Sequence, residues 1–150
     1  MRPNDQTTWI LVADASRARL FSTTGPQRPW KLVEEMEHPE SRHKGIDLMA
    51  DRPGRTQSRM RTGRRAAMEP DTDPREVEAM NFAQQVAQAL ERGLNEHAYA
   101  RLVIAAAPHF LGLLRQKMSE QVAQRVVLSI DKDYAHVEDQ DLPRYLAVPG

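Results

Sequence analysis

Six arginines, Arg52, Arg55, Arg59, Arg61, Arg64 and Arg65, follow one another with no carboxylate between them. Arg42, His43 and Lys44 precede them, and compensating acids come after, at Glu69, Asp71, Asp73, Glu76 and Glu78. A guanidinium presents a rigid fork of donors that holds a phosphate through two parallel hydrogen bonds. An arginine-rich segment without internal acids therefore suits a polyanion, and such segments order themselves on RNA. Binding of this kind weakens with salt, because each neutralised phosphate releases counterions. The run contains no aromatic residue, so stacking on single-stranded bases is not expected. The competing reading is a solvated loop, or one paired with the acids downstream.

Other candidate groups are sparser. Asp14 follows the apolar run Trp9 to Ala13. A carboxylate at the end of a central strand can hold a metal ion, but two-metal phosphoryl chemistry needs further acids converging on it. The run Ala105-Ala106-Ala107-Pro108 supplies none, so Asp14 reads first as the cap of the Ala15-Ser16 turn. His38, His43, His97, His109 and His136 show no i, i+4 pairing of a helical zinc site. His109 is the most suggestive of them, because it follows Pro108 where a strand gives way to a helix. No serine sits in a nucleophile elbow, and no phosphate-binding glycine motif is present. With no cysteine in the chain, thiolate zinc sites, disulfides and cysteine nucleophiles are excluded. No metal site and no cofactor are expected.

The elements that must position these groups follow from hydrophobic periodicity. Thr8 to Ala13 is a continuous apolar run and reads as a buried central strand. Ala18 to Ser22 reads as its hairpin partner. Trp30 to Met36 reads as an edge strand, with Trp30, Leu32 and Glu34 on one face and Lys31, Val33 and Glu35 on the other. From about residue 38 to 73 there is almost no periodicity, which is long for a loop inside a compact domain and marks a functional or disordered segment. Asp73, Pro74 and Glu76 then give an N-cap, a first-turn proline and a capping-box acid. Met80, Phe82, Ala83, Val86, Ala87, Leu90 and Leu94 recur at helical spacing to about Gly93-Leu94. Arg101 to Ala106 is a second buried strand. Pro108 opens a further helix, Val122 lies on a short helical turn, Arg125 to Ile130 is the last strand, and about Asp141 to Leu146 closes the chain as a helix. The order β-β-β-α-β-α-β-α predicts an α/β, RNase H-like mixed five-stranded sheet of order 3-2-1-4-5 with helices on its faces.

The whole chain bounds the rest. Its 150 residues suit one domain. Lysine plus arginine number 21, as do aspartate plus glutamate, so any electrostatic function must come from uneven distribution rather than net charge. No stretch reaches the roughly 20 apolar residues that span a bilayer, and the run at Trp9 to Ala13 is too short for a signal-peptide core. No membrane association and a cytoplasmic location are therefore expected.

Two stretches carry a family resemblance. One runs from Asp51-Arg52-Pro53-Gly54-Arg55 through Gly63-Arg64-Arg65-Ala66-Ala67-Met68-Glu69-Pro70-Asp71-Thr72-Asp73-Pro74 to Phe82-Ala83; the other is Ala107-Pro108-His109-Phe110-Leu111-Gly112-Leu113-Leu114-Arg115. Together they resemble the bacterial host attachment proteins. That family is similar in fold to the central domain of archaeal and eukaryotic class-1 peptide-release factors and of Pelota-type ribosome-rescue proteins. The resemblance implies that the arginine-rich loop corresponds to the release-factor loop carrying Gly-Gly-Gln, which promotes ester hydrolysis in the ribosome. Here Gly54-Arg55-Thr56-Gln57-Ser58 has a glutamine without the paired glycines, whose backbone freedom lets that loop approach RNA. The expectation is thus a translation-factor-like, ribosome- or structured-RNA-associated domain that binds through its arginines and is not catalytic. Two alternatives stay open: a host-attachment or protein-interaction module, with the edge strand as a partner surface, and a hydrolase of a peptidyl-tRNA ester or phosphodiester acting through Gln57 or Asp14.

Overall fold

A computed structural model describes residues 7–38 and 73–149. The strands are β1 (Thr8–Ala13), β2 (Arg17–Thr23), β3 (Lys31–Glu37), β4 (Arg101–Ala106) and β5 (Val126–Ile130). The helices are α1 (Pro74–Asn95), α2 (Pro108–Lys117), the single turn α3 (Glu120–Ala123) and, after a 3-10 turn at Asp139–Asp141, α4 (Leu142–Tyr145). The five strands form one sheet in the order β3-β2-β1-β4-β5, as the sequence predicts. β1 pairs antiparallel with β2 and parallel with β4, and β4 pairs parallel with β5.

β1 is buried throughout, and apolar from Trp9 to Ala13, because both of its faces are covered. Alternate side chains of a strand point to opposite faces. Trp9, Leu11 and Ala13 join a core with Phe82, Val86 and Leu90 of α1 and Phe110 and Leu114 of α2. Ile10 and Val12 join a second core with Phe21, Val103, Leu142 and Leu146. The two long helices thus cover one face, and the chain after β5 folds back over the other. Each α1 residue named from periodicity packs against the first core, Met80 and Leu94 only at its margin.

β3 departs from the simple alternation read in the sequence. Leu20 pairs with Glu34 but its neighbour Phe21 pairs with Leu32, so Val33 is an extra residue, a β-bulge. Facing residues of paired strands share a face. Leu32 therefore lies on the Phe21 side, whereas Glu34 and Met36 lie on the side of Leu20 and Ala18. Trp30, Leu32 and Glu34 do not share one face; the bulge moves the last of them across. This places Met36 in the first core and Trp30 against the Phe21 ring, 5.5 Å between centroids.

The start of α1 follows the sequence closely. Asp73 is the N-cap, its Oδ1 accepting from the Arg75 N–H at 2.9 Å, with Pro74 in the first turn. Near its other end, Gly93 meets an indole. A Cβ placed there would lie 2.4 Å from Trp9 Cη2. The glycine lets the Trp9 ring lie flat on the helix, beside Tyr99 at 4.7 Å between centroids. The Tyr99 hydroxyl donates to the Leu90 carbonyl at 2.7 Å. Burial, helped by Glu91 and opposed by Arg125, pushes the ionisation of Tyr99 far above that of a free phenol.

Two outcomes follow. Gly93→Ala forces a side chain into the indole and lowers stability in urea unfolding by about 1–3 kcal/mol, although alanine is the better helix former. For Tyr99, the unfolded phenol loses its proton near pH 10 while the folded one keeps it. Above that pH the unfolded state binds fewer protons and stability falls as pH rises. Tyr99→Phe removes that part of the alkaline fall, measured as urea midpoints across pH 8 to 11 against the parent chain.

Candidate functional site

β1, β3, β4 and β5 all run in one direction, since two antiparallel steps separate β3 from β1. Their carboxyl ends therefore line one edge of the sheet. Between β1 and β4 the chain order reverses, and in open α/β sheets ligands sit in the crevice outside such a point. Of the polar groups singled out in the sequence, Asp14, His38, His109 and His136 lie along this edge.

Asp14 lies there at the end of β1. Its Oδ1 accepts from the backbone N–H groups of Ser16 at 2.8 Å and Arg17 at 2.9 Å. Its own N–H donates to the Arg17 carbonyl at 2.9 Å. One carboxylate oxygen thus builds the hairpin turn, which is the local role read from the sequence. The other, Oδ2, lies 4.0 Å from Nε2 of His136. Asp133 completes the group: one donor atom each from Asp14, Asp133 and His136 lie within 4.8 Å of one another. Spacing along the chain gives no sign of this trio, because more than a hundred residues separate Asp14 from the others and only β1–β4–β5 pairing closes the gap.

Arg19 holds that loop in place. It is buried, and it is ion-paired with Asp139 and donates to the carbonyls of Ala135 at 2.9 Å and Tyr134 at 3.3 Å. A guanidinium with five donors can bind a carboxylate and two carbonyls at once. Ala135 in turn donates its N–H to Asp133 Oδ1 at 3.0 Å. A polar cavity of about 360 Å³ opens beside the loop, lined by Arg17, Glu35, His136 and Asp139 among others.

Two histidine–glutamate pairs lie at the start of α1. His38, just past β3, meets Glu78 at 2.7 Å, with side chains only 12% and 11% exposed, and its ring lies 5.4 Å from that of Phe82. The His38 N–H also donates to the Ser16 carbonyl at 2.9 Å, tying the end of β3 to the Asp14 turn. His109, in the first turn of α2, meets Glu76 at 2.7 Å but is largely exposed. Glu76 thus reaches across to α2, although its place three residues after the cap suggests a capping box. The Glu76 carboxylate in the first turn of α1 also complements the positive end of its dipole.

The remaining sequence candidates, Gln57 and the arginines Arg52, Arg55, Arg59, Arg61, Arg64 and Arg65, fall outside the described residues. So does most of the basic loop placed at about residues 38 to 73. Its two flanks are described: His38 bonds to α1, and Asp73 caps it.

Residues 9–146 match the family described as "Protein required for attachment to host cells". The chain belongs to this family of host attachment proteins. It is also similar to an uncharacterized protein of Rickettsia prowazekii (strain Madrid E), 28% identical over 133 residues, covering 83% of this chain and 81% of that one. No described helix is long and apolar enough to cross a membrane.

The two pairs on α1 are distinguishable by experiment. Glu78→Ala leaves a largely buried imidazole short of its partner and costs about 1–3 kcal/mol in chemical unfolding. Glu76→Ala, facing an exposed imidazole, changes stability by less than about 1 kcal/mol.

Proposed function

We propose that this chain is a non-catalytic binding module that serves attachment to host cells, and that it engages a protein partner through the carboxyl edge of its sheet. The match to the attachment family over residues 9–146 carries this reading. The edge supports it: four strand ends, the starts of α1 and α2 and the loop held by Arg19 place carboxylates, imidazoles and guanidiniums side by side. The groups there pair with one another rather than aligning a nucleophile with a base. That suits recognition of a complementary polar surface more than turnover. Aromatic and aliphatic side chains behind them pack into the two cores, which fix the strand ends and helix starts that carry these groups.

The test is attachment itself. Cells lacking the chain are compared with cells carrying the parent chain or the double variant Glu76→Ala/His109→Ala, in an assay counting bacteria bound to cultured host cells. The parent restores attachment, and the double variant leaves it at least tenfold lower with the protein folded and present at equal level. Normal attachment without the chain rejects the reading, and full restoration by the variant rejects the edge as the binding surface.

One observation favours a second reading, in which the arginines dock on ribosomal or other structured RNA. Six arginines without an intervening acid lie in a segment whose flanks both meet α1 at this edge. The likeness to release-factor central domains belongs to this reading, supported by the strand order and by the place of the segment between β3 and α1. Cosedimentation with ribosomes across a salt series tests it. Replacing Arg59, Arg61, Arg64 and Arg65 with alanine weakens binding and flattens its salt dependence by roughly one unit of slope per lost phosphate contact. Unchanged cosedimentation rejects RNA docking through these residues.

A further inference from the structure

We propose that Asp14, Asp133 and His136 form a binding site for a divalent first-row transition cation. The site goes beyond the attachment reading and does not depend on it. Three features of the geometry carry it.

The first is convergence of unlike donors. The group is not carboxylates alone: an imidazole nitrogen lies 4.0 Å from Asp14 Oδ2, and all three donor atoms fall within 4.8 Å of one another. Donors around one such ion stand about 3–3.5 Å apart, given bonds of roughly 2.0–2.2 Å. Each therefore needs to move by about 1 Å or less. His136 has the freedom to do so, since its side chain is 67% exposed, while the Asp14 side chain is 17% exposed and fixed by its turn.

The second is charge. Among the described residues neither Asp14 nor Asp133 has an ion pair with lysine or arginine. Two carboxylates held this close repel each other, and a cation between them removes that repulsion. Arg19, the nearby guanidinium that fixes the loop, is already taken up by Asp139 and two carbonyls. It positions the donors without neutralising them.

The third is the opening. Three protein donors leave coordination positions free, as in metal sites that bind a ligand rather than only bracing a fold. His136 also lines the cavity of about 360 Å³, so a bound ion has room beside it for further ligands. Carboxylate oxygens suit manganese and magnesium, and an imidazole suits zinc, nickel and iron. The mixed set therefore favours first-row transition ions over calcium or magnesium, and Mn²⁺ is the most direct probe.

Mn²⁺ is titrated into the full chain, followed by the electron-paramagnetic signal of the free ion and by nitrogen-15 NMR. One equivalent binds, and the amide signals of Ser16, Arg17 and Ala135 to Val137 broaden before any others. Asp14→Asn keeps an oxygen for the turn while losing the charge; His136→Ala removes an exposed ring. Each weakens Mn²⁺ binding at least tenfold with an unchanged circular dichroism spectrum. Absence of uptake overturns the proposal, as does first broadening elsewhere or an affinity unmoved in both variants.

Discussion

The parallel pairing of β1 with β4 is the constraint on which the molecule depends. β1 buries every residue, half against the helices and half against the returning C-terminal segment. A slip of one residue would turn each of those side chains to the opposite core. The register is therefore fixed, and with it the position of Ala13 opposite Ala106. That single alignment sets Asp14 beside the start of α2 and makes the crevice where the chain order reverses.

Around this frame, the polar chemistry is arranged by contacts that have little to do with hydrophobicity. Arg19 is the main one. A buried guanidinium on β2 reaches across the second face and gathers Asp139 and two carbonyls of the loop after β5. Without such partners a buried charge would be strongly unfavourable, so the loop and the strand require each other. The loop carries Asp133 and His136 toward the Asp14 turn. On the first face, the buried pair of His38 and Glu78 joins the end of β3 to α1 in the same way. Both devices bring charge to the edge of the sheet and leave the cores apolar.

The same edge carries much of the polar chemistry of the described residues. The strands and long helices pack into two apolar cores, and the groups at this edge sit on loops and helix starts. Surface loops held by a rigid scaffold are where binding residues concentrate. The two described residues that flank the segment from 39 to 72, His38 and Asp73, both meet α1 at that side.

The sheet order, the helix begun by Asp73-Pro74 and nearly all the core were legible in the residues, because burial imposes periodicity and caps impose particular residue types. Apolar runs such as Trp9 to Ala13 and Leu102 to Ala106 have few alternatives to a central strand. The bulge at Val33 was not legible: one extra residue in a strand costs little locally, and only pairing with β2 reveals it. Nor was the trio of Asp14, Asp133 and His136, since a site assembled from two ends of the chain leaves no mark in spacing. Sequence alone determined which segments must be buried and how they are ordered. Tertiary structure decided which polar groups meet, because those meetings depend on strand register and on the side-chain reach of Arg19 rather than on any local pattern.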